Sequence, residues 1–150
     1  MYKNILIATD GSEVAGRGLD HGLALAKALG AKVTIVTVTE NWSALEMAEE
    51  ARRLGTPKNV IQDYESAMAK GAKSVLDAAN AVATKQGIAA ATIHVPDQPP
   101  ATGIVATAEK LGNDLIVMGS HGRRGLGRLI LGSQANEVVT TSRVPVLVVR

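Results

Sequence analysis

The sequence predicts an α/β protein: a three-layer sandwich in which helices cover both faces of a doubly wound, five-stranded parallel sheet. Three observations carry this. Short β-branched and aliphatic runs alternate with longer amphipathic segments along all 150 residues, the order that right-handed parallel crossovers produce. Hydrophobic residues make up 46% of the chain, yet there is no Phe, one Trp and two Tyr. Val, Ile, Leu, Ala and Met must therefore fill the core, as in strands buried on both faces. Glycine closes several of the helical segments in C-cap position. A chain of this length buries roughly 68–70% of its unfolded surface and is read as one domain, 1–150.

The elements follow in order. Residues 3–8 form an apolar run that ends in Thr9-Asp10-Gly11-Ser12-Glu13, where Ser12 or Asp10 can cap a helix. That helix, to about 29, carries Leu19, Leu23, Ala26 and Leu29 on one face, and Gly30 stops it. Residues 33–38 are a second strand rich in Val, Ile and Thr. A polar helical piece spans 43 to about 53, and Leu54-Gly55-Thr56-Pro57 breaks it; 41–56 is read as a variable insertion. A longer helix then runs to about Gln86, with Gly87 ending it. Residues 89–95 form a third strand and 96–100 a proline-rich loop. Ile104, Ala108 and Leu111 mark a further helix, ended by Gly112-Asn113. A strand at 114–118, a glycine-rich loop, a helix near 133–142 and a last strand to Arg150 complete the chain.

Composition excludes several function classes. With 16 basic and 14 acidic residues the net charge is +2, too balanced for a general polyanion binder. Few aromatics leave no stacking platform for nucleic-acid bases. The absence of cysteine removes disulfides, thiolate catalysis and Cys-based zinc sites. His21, His94 and His121 show no ligand spacing; the first two, on a helix and a strand, are read as structural. No apolar stretch approaches the ~20 residues needed to span a bilayer. The N-terminus shows no secretory signal, so a soluble cytoplasmic protein without membrane contact is expected.

Chemistry concentrates after the fourth strand. The loop has glycine at 119, 122, 125, 127 and 132, and Gly132-Ser133 opens the next helix. Strand, glycine loop and helix N-terminus together suit phosphate: the backbone can approach the anion, N–H groups converge on it, and the helix end is partly positive. The spacing excludes a P-loop, since no lysine follows a suitable glycine, and Ile130 breaks the dinucleotide fingerprint. What remains is G-x-x-G, nine residues, then G-S, at Gly119, Gly122, Gly132 and Ser133.

Other residues keep two readings. Asp10 can receive ribose hydroxyls or hold a hydrated Mg²⁺ through water, or it can simply cap the first helix. Val38, at the end of the second strand, is packing by its side chain, while its backbone can meet an adenine edge. Ser133 is a phosphate ligand or a plain N-cap. His121 can donate to phosphate or titrate near neutral pH. With no Ser nucleophile or carboxylate partner evident beside it, it is not assigned as a general base. Arg123, Arg124 and Arg128 make the loop basic, and solvated surface arginines are their plain alternative.

Taken together, the chain resembles the universal stress protein family, in its single-domain, ATP-binding type. The resemblance rests on Lys3-Asn4-Ile5-Leu6-Ile7-Ala8-Thr9-Asp10-Gly11-Ser12 and Asp114-Leu115-Ile116-Val117-Met118-Gly119-Ser120-His121-Gly122-Arg123. It continues through Leu129-Ile130-Leu131-Gly132-Ser133 and Val144-Pro145-Val146-Leu147-Val148-Val149. It implies an adenine-nucleotide α-hydrolase-like sheet, a homodimer, ATP as ligand with Mg²⁺, and a role in stress response and signalling. It further implies that Ala8, Thr9 and Asp10 line the adenosine side and that Val38 meets adenine through its backbone. Met118, Gly119, His121 and Gly122 would border ribose and phosphates, with Arg123 beside them; Gly132, Ser133 and the Gln134 N–H would hold the phosphates. Two departures stand out: Ala8, where some members have proline, and Gln134, where a small or β-branched residue is common. Gln134 is expected to crowd the terminal phosphate or to add a contact.

The leading expectation is a nucleotide-binding module with slow or no turnover, because no lysine clamp, catalytic base or arginine finger is evident. The alternatives are an ATPase or adenylyl-transfer enzyme of related fold, and an interaction module whose glycine loop is only structural. The apolar run 144–149 ends the chain and is expected at a sheet edge, where pairing with a second copy would cover it. Pro145 at its start costs little hydrogen bonding, and Arg150 limits further growth. The alternative is a monomer whose edge is covered by the last helix and the 41–56 segment.

Overall fold

The computed structural model describes residues 1–40, 44–55, 57–121 and 131–150. Ten elements run in the order β1 (Asn4–Ala8), α1 (Glu13–Leu29), β2 (Lys32–Thr39), α2 (Ala44–Leu54), α3 (Pro57–Lys85), β3 (Ala90–Pro96), α4 (Pro100–Leu111), β4 (Leu115–Gly119), α5 (Ser133–Thr141) and β5 (Val146–Val149). The five strands form one parallel sheet in the order β3-β2-β1-β4-β5. The predicted fold class is therefore the observed one. Strand order reverses between β1 and β4, so the carboxyl ends of these two strands flank a crevice of the kind that binds ligands in open α/β sheets.

Strand periodicity splits the core into two layers. Ile5, Ile7, Val33, Ile35, Leu115 and Val117 face α1 and α3, meeting Leu19, Leu23, Leu76, Ala79 and Ala83. Leu6, Ala8, Val36, Ile116 and Met118 face α4 and α5, meeting Ala101, Ile104, Ala108, Ala135 and Val138. Ile5, Leu6 and Ile7 are wholly buried, so central β1 is apolar on both faces. Each such side chain contributes about 1.5–3 kcal/mol by burial.

The helix ends follow sequence chemistry. Ser12 caps α1, its Oγ accepting the Ala15 N–H at 3.2 Å, with Glu13 in the first turn and Lys27 in the last. Gly30 and Gly112 close α1 and α4 in the left-handed region, at φ 64° and 65°. Boundaries differ from expectation by one or two residues. β2 runs on to Thr39, so Val38 is its penultimate residue; β3 takes in Pro96, and β4 ends at Gly119. Segment 44–54 is a helix packed on α3. Edge pairing along the whole of 33–39 and 90–96 explains the longer β2 and β3.

Candidate functional site

Where β1 ends, the backbone turns into α1 through side-chain hydrogen bonds. The Thr9 N–H donates to the Val36 carbonyl at 3.0 Å, extending the ladder one residue past the strand. Thr9 Oγ1 then accepts the Gly11 N–H (3.2 Å), and Asp10 Oδ1 accepts the Ser12 N–H (2.9 Å). Ser12, not Asp10, caps the helix; Asp10 shapes the turn that delivers it.

Where β4 ends, glycines allow close approach. A Cβ on Gly119 would lie 2.9 Å from the Val14 carbonyl, so only glycine lets α1 press this tightly on the strand end. The Ser120 N–H donates to the Val149 carbonyl at 2.7 Å, and the Ser120 carbonyl accepts the Gly132 N–H at 2.8 Å. A Cβ on Gly132 would sit 2.9 Å from that same carbonyl oxygen and 3.2 Å from the His121 Cα. Gly132 has φ −59°, so close contact and not a left-handed backbone accounts for it. The end of β4 and the start of α5 thus meet at Ser120 and Gly132, next to the Gly119 contact with the first turn of α1.

Gly132 is the N-cap of α5, which has no side-chain cap hydrogen bond and no acidic residue in its first turn. Ser133 is the first helical residue and is exposed. Among the described residues, no side chain accepts the first N–H donors of this terminus, which carries the partly positive end of the helix.

His121 does have a serine partner, contrary to the sequence reading. Its Nδ1 lies 2.8 Å from the Oγ of Ser120, a residue only 2% exposed. Ser120, the residue next to His121 in the chain, was the available signal. His121 Nε2 is buried without a hydrogen-bond partner among the described residues, a condition that a bound polar group would relieve. Ser120 and the Ala101 terminus described next are the site features that sequence reasoning missed.

Gln134 has a contact that the sequence did not suggest: its Oε1 accepts the Ala101 N–H at 2.9 Å, which commits the carbonyl end of the side chain to α4. Across the crevice, Gly103 of α4 packs on Val38, with a Cβ there falling 2.7 Å from one Val38 methyl. Because Val36 turns its carbonyl towards β1, strand alternation turns the Val38 peptide groups to the same side, beyond the end of β1.

The family model described as the universal stress protein family matches residues 1–150. The chain belongs to the universal stress protein family. Universal stress protein YxiE of Bacillus subtilis is 31% identical over 150 residues, covering 100% of both chains. The solved structure of MJ0577, a universal stress protein of Methanocaldococcus jannaschii, superposes with a TM-score of 0.80 at 30% identity, covering 99% of this chain and 96% of that one. A universal stress protein solved in complex with cAMP superposes with a TM-score of 0.72 at 26% identity, covering 99% and 97%.

In this universal stress protein the residues singled out from sequence are brought together unevenly. Thr9, Asp10, Gly119, His121, Gly132, Ser133 and Gln134 gather at the carboxyl ends of β1 and β4. Ala8 and Met118 stand at the same edge, but their side chains belong to the core layer under α4 and α5, and their backbones are paired in the sheet, Ala8 opposite Val36 and Met118 opposite Val148. Gly122, Arg123, Arg124, Gly125, Gly127 and Arg128 lie outside the described residues. His21 and His94 bond within the fold, Nδ1 to the Arg17 carbonyl at 2.9 Å and Nε2 to Thr39 Oγ1 at 2.8 Å. Among the described residues no cluster of His, Asp or Glu could hold a metal ion by itself, and no helix is long and apolar enough to cross a membrane. Away from the crevice, a hydrogen bond from Arg53 holds the Glu50 carboxyl below its usual range.

Proposed function

We propose that this universal stress protein, acting as one domain of residues 1–150, binds ATP in the crevice between the Thr9–Ser12 turn and the two ends of the glycine loop. The observation that carries the reading is the uncapped N-terminus of α5 beside the orphaned His121 Nε2, both at the switch point of the sheet. The N–H groups of Ser133 and Gln134 and His121 Nε2–H would donate to phosphate oxygens, at a place that suits anions. Val38 offers a peptide N–H and C=O past the end of β1, matching the N1 acceptor and N6 donor of adenine; guanine reverses that pattern. A related structure with cAMP supports an adenine nucleotide. Mg²⁺ would arrive on the phosphates, with Asp10 reaching it through water. The protein would serve stress signalling in the cytoplasm, with slow turnover or none.

Calorimetric titration with ATP, GTP and AMP, followed by a phosphate-release assay, tests this. ATP should bind more tightly than GTP, with turnover far below the ~10 s⁻¹ median of dedicated enzymes. Equal, weak responses to all three nucleotides would defeat the reading. Turnover at that median, lost in Ser120→Ala, would make the protein an enzyme instead.

The same reading includes a homodimer through β5. Among the described residues this strand is paired to β4 alone, and Leu147 on it is 38% exposed, so its outer side is an edge that a symmetry mate would cover. Light scattering should give the mass of two chains for wild type and of one for Val148→Lys. A wild-type mass of one chain would rule the dimer out.

A further inference from the structure

Helix α4 opens on prolines. Pro99 is its N-cap without a side-chain cap bond, and Pro100 is its first residue. Neither carries an N–H, so the orphan donors of this terminus narrow to Ala101 and Thr102. Ala101 is 0% exposed, where an unpaired N–H would be costly. Its partner comes from 33 residues away: Gln134 Oε1, on the second residue of α5. Gln134 therefore does for α4 what a Ser or Asp at the N-cap would do from within the helix. Two residues beyond Ala101, Gly103 lies against both methyls of Val38, at 2.7 and 2.9 Å for a Cβ built there.

A chain of contacts thus joins the two ends of the crevice. Ser133 and Gln134 stand at the phosphate end, Ala101 and Gly103 carry the contact through α4, and Val38 stands at the base end. We propose that Gln134 is a positioning residue: by capping α4 it seats Gly103 on Val38 and so fixes the peptide groups that select adenine over guanine. This inference rests on the adenine-nucleotide reading above. It assigns Gln134 a role in base selection, although its place in the chain is next to the phosphate-binding Ser133.

Two substitutions separate capping from charge. Gln134→Val removes the acceptor and keeps an apolar body. Gln134→Glu keeps an acceptor at a helix N-terminus, where a carboxylate is favourable, but adds negative charge near the phosphates. Amide hydrogen exchange at Ala101, without nucleotide, reads the cap directly; titration with ATP, GTP and adenosine reads the crevice. In Gln134→Val, Ala101 protection should fall about 5- to 30-fold, the scale of losing one cap. The ATP-over-GTP preference should fall with it by about 5-fold or more, while the ATP-over-adenosine ratio holds. Gln134→Glu should keep Ala101 protection and base preference, with ATP and GTP weakened together.

Wild-type protection and base preference in Gln134→Val would overturn the proposal, as would a Gln134→Glu variant that loses base preference like the valine variant. Failure of wild type to bind any nucleotide would overturn the adenine reading, and the positioning role with it. That failure is distinguishable, because the loss of Ala101 protection in Gln134→Val would still be seen.

Discussion

The turn from β1 into α1 and the connection from β4 into α5 leave the sheet side by side, each ending on a helix N-terminus, and they settle their polar groups in opposite ways. In the first, Thr9, Asp10 and Ser12 each accept a backbone N–H, at 3.2, 2.9 and 3.2 Å. In the second, glycines replace such side chains: Gly119 and Gly132 press on neighbouring backbone, and α5 begins with no side-chain cap. The same topology therefore yields one terminus where side chains accept the Ser12 and Ala15 N–H groups and one that, among the described residues, has no side-chain cap. A side-chain cap stabilises its own helix, whereas a helix N-terminus without one is a place that suits an anion.

Breaking the open terminus should give the largest effect. In Gly132→Val the added Cβ falls 2.9 Å from the Ser120 carbonyl oxygen, so α5 must move away from the loop start. Losing two charge-assisted hydrogen bonds at about 1.5–3 kcal/mol each weakens ATP by about 100-fold or more. Titration calorimetry checks this, and a near-native circular dichroism spectrum separates it from unfolding. Gly119→Ala strikes where the two connections touch, its Cβ 2.9 Å from Val14 backbone. Overpacking of this kind should cost about 1–3 kcal/mol in a denaturant titration. A midpoint equal to that of wild type would show that α1 can retreat freely. The satisfied terminus should answer most weakly. Ser12→Ala removes one cap, costing about 1 kcal/mol of stability, with ATP affinity within about 2-fold of wild type; a large loss of affinity would erase the distinction between the two termini.

How much of this was legible in the sequence depended on the range of the interaction. The β-branched runs, the Gly30 and Gly112 caps and the Ser12 N-cap are local, and they placed the five strands and their crossovers. Gly132 and Ser133 were legible as a pair because a glycine followed by a hydroxyl at a helix start has a local meaning. The reason for Gly132 was not: it meets Ser120 across a whole loop, and no periodicity reports that contact. Gly18 and Gly119 meet the same way, with a Cβ on Gly18 only 3.0 Å from the Gly119 nitrogen. Gln134 was noticed for its size near phosphate, while its actual partner, Ala101, lies on another helix. Ser120 and His121 lie just past the end of β4, where no strand or helix period states how adjacent side chains face, so their contact was not legible.

The central claim is that the phosphates of an adenine nucleotide sit on the open terminus of α5 and not on the capped terminus of α1. Following backbone amides of ¹⁵N-labelled protein during titration with ATP tests it most directly. The Ser133 and Gln134 amides should shift in step with saturation. The Ala15 and Gly16 amides, already bonded to the Ser12 Oγ and carbonyl at 3.2 and 2.9 Å, should hardly move. Saturable shifts at Ala15 and Gly16 with none at Ser133 and Gln134 would contradict the account.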